Sequence, residues 1–297
     1  MARARAWVLN FDAEDELARG AGHTPSRAVL ARFAALADRV GALLAPGDVI
    51  VDPLTTIALA PGTFSGRAWC PTPGARQALE RAGAVVPAAP ALAVLRSVNH
   101  RRFCATLVQA LPGARYVDTL DDVVATVNAP SRSGTWLLKR PFGFAGRGRK
   151  RLRAGAIEPA DRAWIDASLA TGDGLQIEPW VELDADVGLH GFLAPSGALA
   201  LGAPTVQRTD ATGAWIASLR AAPGELAKDE ERALFEAAET TARALHDAGY
   251  FGPFGIDAFR WRDVDGARRW NSRSEINARY SMGWAVGMGE NRPDREE

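Results

Sequence analysis

The sequence predicts α/β plus α+β architecture: a small α/β domain with a partly parallel sheet, followed by a larger α+β domain with an antiparallel sheet. Three observations carry this reading. Over residues 1–94, short apolar strands alternate with segments of helical period, the rhythm of strands joined by crossover helices. The segment Val86–Leu95, with two prolines among alanines, then interrupts both periods. Beyond it the runs 187–192 and 198–206 read as strands of a hairpin across Pro195-Ser196-Gly197, and 254–262 and 268–277 follow as strands that carry polar residues inward.

Each element follows from local pattern. Residues 5–10 read as a first strand. Ser26 to Leu44 has helical spacing and is broken by Pro46-Gly47-Asp48 before a second strand at 49–51. Ala75 to Ala82 reads as a helix and 84–86 as a short strand. The linking segment ends at Asn99, a candidate helix cap, and a helix from Arg101 to Leu111 stops at Pro112-Gly113. Trp136-Leu137-Leu138 is a strand closed by Lys139. A helix over 159–170 ends at Gly172, Leu175–Glu178 is a strand, and Lys228 to Ala248 is a long amphipathic helix. The expected boundaries are 1–94 for the first domain and 95–297 for the second, the latter dividing at 177/178.

Composition narrows the function. The chain has 297 residues, 47% of them hydrophobic, and 35 basic residues balance 35 acidic ones. That balance argues against nucleic acid or a membrane surface as the main partner. No window reaches the roughly 18 consecutive apolar residues of a membrane helix, and the N-terminus lacks the pattern of a secretion signal. Cys70 and Cys104 have no metal-site spacing and read as reduced thiols. A soluble, cytoplasmic protein is expected.

Four groups of residues carry chemistry. The chain has only three lysines, Lys139, Lys150 and Lys228, and Lys139 stands before the glycine-rich stretch Pro141–Gly148. A compact ammonium there suits a phosphate, while Gly143, Gly146 and Gly148 would let backbone amides close on phosphate oxygens; a plain hairpin turn accounts for the glycines equally well. On an extended strand Glu275, Asn277 and Arg279 share a face. Their carboxylate and amide oxygens suit magnesium, and the arginine suits an anion; a solvated polar face with a Glu–Arg pair is the alternative. Asp257 lies in an apolar run and needs a partner, either a shared metal or an arginine. Finally, Glu178-Pro179-Trp180-Val181, followed by Asp186, could border a nucleotide slot, although a core role explains Trp180 alone.

Taken in order, these groups resemble the ATP-grasp superfamily, which includes D-alanine–D-alanine ligase, glutathione synthetase and biotin carboxylase, over about residues 95 to 290. The resemblance implies an ATP-grasp fold, two α+β subdomains gripping ATP, preceded by a small α/β domain. It implies that Lys139 holds ATP phosphates beneath the Gly143–Gly148 flap, and that Glu178, Trp180 and Val181 form the adenine hinge. Asp186 would bind ribose, Asp257, Glu275 and Asn277 would hold Mg2+ (or Mn2+), and Arg279 would assist Lys139 in catalysis. The earlier phosphate-binding lysine of the family is replaced by Arg101 or Arg102, with Arg102 taken as the nucleotide contact. The implied reaction activates a small carboxylate with ATP for attack by an amine, releasing ADP. A small-molecule kinase or a non-catalytic nucleotide-binding module would use the same grip, and homodimerisation is a family expectation. None of His23, His100, His190 and His246 has a catalytic role in this reading.

Overall fold

Alternate residues along the first strand enter two different cores, which explains why the run Ala6–Leu9 is apolar without interruption. The computed structural model describes residues 3–20, 23–25, 29–30, 36–54, 58–107, 111–143, 147–209 and 215–295. Strands β1 (Arg5–Val8), β2 (Val49–Ile50) and β3 (Ser65–Ala68) form a parallel sheet in the order β2-β1-β3. Ala6 and Val8 pack with Ala75, Ala78, Leu79 and Ala82 of helix α2 (Pro73–Ala82), while Trp7 and Leu9 enter the large central core. Both faces of a parallel sheet are thereby covered. Helix α2 starts on a proline and ends at Gly83, whose φ of 84° is the left-handed conformation that lets the chain turn out of a helix. Helix α1 (Ala13–Arg19) lies between β1 and β2 in sequence.

Helices α3 (Leu92–Asn99) and α4 (Arg101–Leu107) lead into the second sheet. Its strands are β4 (Arg115–Val117), β5 (Thr135–Lys139), β6 (Arg149–Arg153) and β7 (Leu175–Pro179), antiparallel in the order β4-β7-β5-β6. Helices α5 (Leu120–Asn128) and α6 (Pro159–Leu169) cover one face, where Trp136, Leu138, Leu152 and Ile177 meet Val123, Val127 and Ile165. The two-residue alternation of strands turns Leu137, Lys139, Arg149, Arg151, Gln176 and Glu178 to the other face.

The third sheet holds β8 (Glu182–Leu193), β10 (Thr205–Thr209), β11 (Trp215–Arg220), β12 (Gly252–Arg262) and β13 (Arg268–Asn277) in the order β11-β10-β8-β12-β13, with β9 (Leu199–Leu201) also on β8. Helix α7 (Lys228–Asp247) packs on it through Leu234, Ala238, Thr241, Ala242 and Leu245, one stripe of a helical repeat. Helix α8 (Trp284–Met288) is pinned by Trp284, which is fully buried and donates its indole N–H to Gly191 O at 2.9 Å.

Several expectations are corrected. Asn99 is the last residue of α3, not a cap. Its amide instead holds both backbone groups of Ala278, accepting from Ala278 N at 2.9 Å and donating to Ala278 O at 3.3 Å. The expected strand at 84–86 is a single bridge between Val85 and Ser65. The strand expected over 198–206 splits into β9 and the start of β10, both paired with β8. Part of the helix expected over 26–44 lies outside the described residues, and Asp38–Leu43 is a 3-10 turn. Eight of the labelled elements had no sequence expectation: α1, α3, α5, α8, β3, β4, β6 and β11.

Candidate nucleotide and metal site

Strands β12 and β13 bring the expected metal ligands together. Asp257 lies directly opposite Glu275 in the ladder, and Gly255 opposite Asn277. Asn277 Nδ2 donates to Asp257 Oδ2 at 3.0 Å, which leaves the Asn277 amide oxygen unused by that bond. Gln207, from β10, donates to Asp257 Oδ1 at 3.3 Å. The partners of Asp257 are therefore amides, not an arginine. Burial, with the neighbouring charges of Glu275 and Asp186, raises the Asp257 carboxyl above its ordinary range.

Glu275 behaves oppositely. Burial would raise it, but Arg101 Nη1 lies 2.7 Å from Glu275 Oε2, and together with Lys139 and Arg149 holds the carboxyl below its ordinary range. Arg101 also donates from Nε to Arg140 O at 3.0 Å, and its backbone N–H reaches Pro141 O at 3.1 Å. One side chain thus ties the root of the glycine loop to the acidic strand pair.

The donor set fits a hard divalent cation. Two carboxylates and an amide oxygen share one face, and a cation would offset the burial and the repulsion that together raise Asp257. Among the described residues no three His, Cys, Asp or Glu side chains are arranged to hold a metal. A two-carboxylate site of this kind suits Mg2+, which completes its shell with water and substrate phosphates.

Across the cleft, Lys139 forms a buried ion pair with Glu178, and Gln176 Nε2 donates to Glu178 Oε2 at 3.1 Å. The glycine loop joins β5 to β6, with Arg140 N bonded to Gly148 O at 2.8 Å across its neck. Gly148 has φ of 70°, and a Cβ on Gly143 would fall 2.7 Å from Arg147 O. Both positions therefore exclude larger residues. Gly146 lies outside the described residues.

At the hinge, Trp180 N donates to Thr135 O at 3.0 Å and Ser133 Oγ donates to Trp180 O at 2.6 Å. Trp180's backbone is therefore occupied, and its ring carries the Arg151 guanidinium 3.4 Å from its centroid. Val181 is the hinge residue whose backbone has no such bond among the described residues. Asp186 sits opposite Phe259 in the β8–β12 ladder, its carboxyl pushed up to about 6 by burial despite Arg149. Its neighbour Asp184 is held by Arg262 and Arg268 at 3.2 and 3.1 Å, which leaves Asp186 as the acid turned toward the cluster. A cavity of about 320 Å³ lies beside the hinge, lined by Leu111, Trp180, Val181 and Trp261 among others.

Two expected residues lie elsewhere. Arg102 is exposed, pairs with Asp118 and stacks on Tyr116 at 4.1 Å, so Arg101, not Arg102, reaches the cluster. Neighbouring positions on a helix point about 100° apart, which places one residue of the pair inside and the other out. Arg279 forms a buried ion pair with Glu14 of α1 and donates to Tyr280 O at 2.9 Å. It thus joins the end of β13 to the first sheet's domain. The sequence offered Arg101 only as an alternative to Arg102 and Asn99 only as a cap, and the roles of these two, of Gln207 and of Glu14 were hidden because each acts through a partner 50 or more residues away.

No family model and no curated protein matches this chain by sequence. Solved structures do match it in shape. An ADP complex of purK, N5-carboxyaminoimidazole ribonucleotide synthetase, aligns over 94% of this chain and 71% of its own, with TM-score 0.51 and 14% identity. The N5-carboxyaminoimidazole ribonucleotide synthetase of Thermus thermophilus aligns over 93% and 71%, with TM-score 0.50 and 19% identity. D-alanyl-alanine synthetase A of Vibrio cholerae aligns over 97% and 92%, with TM-score 0.53 and 13% identity. The fold of this chain is the ATP-grasp fold.

Proposed function

We propose that this ATP-grasp chain is an ATP- and Mg2+-dependent ligase that activates a small carboxylate as an acylphosphate for attack by an amine. The observation that carries the proposal is the meeting of Asp257, Glu275 and Asn277 on one wall with Lys139 and the glycine loop on the other. Residues 1–94 would form the preceding domain, 95–177 the lid-bearing part and 178–297 the metal-binding part. Val181 would meet the adenine and Asp186 the ribose.

In the reaction, a carboxylate oxygen attacks the γ-phosphorus and ADP leaves; the amine nitrogen then attacks the acyl carbon, phosphate leaves, and the amine proton passes to solvent. Phosphoryl transfer of this kind depends on positioning and charge neutralisation. Lys139 would hold the phosphates as a point charge, exchanging Glu178 for phosphate oxygens. Arg101 would keep Glu275 ionised and in place. Arg279, fixed by Glu14, would set its positive charge beside the ligand face of β13. Mg2+, or Mn2+, would be held by Asp257, Glu275 and Asn277 and would supply charge neutralisation at the phosphates.

The test is product analysis with the full chain, Mg-ATP and a matrix of small carboxylates and amines. The expected result is ADP, free phosphate and an amide. Phosphate retained on an organic product would instead establish a kinase. Tight nucleotide binding without turnover would establish a binding module, and no nucleotide binding would sink the reading.

A further inference from the structure

Each cation assigned so far to the cleft is already committed to an anion of the protein: Lys139 to Glu178, Arg101 to Glu275 and Arg279 to Glu14. A phosphate must compete with those carboxylates. Arg149 differs. It opens β6, its Cα partner is Lys139, and so the two side chains leave the sheet on the same face. It is exposed, and among the described residues its guanidinium has no ion pair or hydrogen bond. Its backbone is fixed in the ladder directly after Gly148, whose carbonyl closes the loop's neck. It shares the cleft face of the sheet with Lys139, near enough to Asp186 and Glu275 of the opposite wall for its charge to favour their ionised forms.

We infer that Arg149 is a phosphate-binding residue of the lid, holding the terminal phosphate of a nucleoside triphosphate and so separating triphosphate from diphosphate. The inference rests on the nucleotide reading above and deepens it. A free, exposed guanidinium gives up only water when it engages a phosphate, and its planar fork can hold two phosphate oxygens. It faces the carboxylates proposed to hold the cation, so it would meet phosphates bound beside them. Arg151 is stacked on Trp180. Arg153 stands opposite Thr135, at the far end of the ladder, roughly 13 Å along the strand from Arg149.

The experiment is calorimetric titration of the full chain with Mg-ADP and Mg-AMPPNP, comparing wild type, Arg149→Ala, Arg149→Lys and Arg153→Ala. Arg149→Ala is expected to weaken AMPPNP binding about 10- to 100-fold and ADP binding less than about 3-fold. Arg149→Lys should recover part of the loss, and Arg153→Ala should match wild type. If wild type binds both nucleotides and Arg149→Ala weakens both equally, or neither, the Arg149 assignment is overturned and the nucleotide reading stands. If wild type binds neither, both fall.

Discussion

The two walls of the cleft are built alike and charged oppositely. Each is an antiparallel sheet that turns alternate side chains inward, but the lid offers Lys139, Arg149 and Arg151 where the large sheet offers Asp186, Asp257 and Glu275. Their supports differ as well. β12 is an interior strand, held between β8 and β13, and its acid is fixed by two amide donors. β6 is the free edge of its sheet, and Arg149 on it is solvated. The acidic wall is a prearranged cradle whose repulsion awaits a cation. The basic wall is an adjustable cover whose charges suit phosphate. A ligand that carries both, a metal-bound polyphosphate, satisfies the two walls together.

The most severe way to break this contrast is Glu275→Ala. It strands the buried Arg101 guanidinium, at an expected cost of about 3–5 kcal/mol, and should abolish the magnesium dependence of nucleotide binding. Urea unfolding and titration with and without Mg2+ check both halves; a variant as stable as wild type would refute the pairing. Next is Lys139→Ala, which leaves Glu178 buried without its counter-charge and should cost roughly 3 kcal/mol. Adding Glu178→Gln should restore much of the stability without restoring nucleotide affinity. Recovery of both would mean that Lys139 serves packing alone.

His190 tests the neutral ground behind the acidic wall. It lies buried on β8 between the hydroxyls of Thr205 and Ser281, at 3.3 and 3.2 Å, and burial lowers its pKa from 6.5 to about 4. The unfolded chain therefore binds a proton between those values that the folded chain refuses. Stability from this residue is full above pH 6.5 and lost as pH falls to about 4, by roughly 3 kcal/mol in all. Unfolding midpoints of wild type and His190→Asn at pH 7 and pH 5 should show a steeper decline for wild type. Parallel declines would count against a neutral His190. The smallest effect is expected from Arg102→Ala, which removes an exposed pair worth less than about 1 kcal/mol and should leave nucleotide affinity unchanged. A loss as large as that of Lys139→Ala would return Arg102 to the site.

Much of the site was legible because its chemistry is local in sequence. Glu275 and Asn277 share a strand face by simple alternation, and Lys139 stands at the end of its strand. Choosing between Arg101 and Arg102 was beyond the sequence, since the answer depends on which side of α4 meets β13. Asn99 looked like a cap because caps and long-range clamps use the same residue types. Arg279 read as a free catalytic cation because its partner, Glu14, is far away in the chain and belongs to another sheet.

Strand alternation, helical period and turn residues, properties of neighbouring positions, determined by themselves the change from an α/β to an α+β pattern along the chain, the longer strands and helices, and the strand face that Glu275 and Asn277 share. Tertiary structure alone decided which cations are committed and which are free. Whether a guanidinium is paired depends on carboxylates brought up from remote segments, and burial sets how strongly each pair holds. For that reason Lys139 was conspicuous in the sequence, while Arg149, one of many arginines, became distinct only when every other cation proposed for the cleft was found to have a partner.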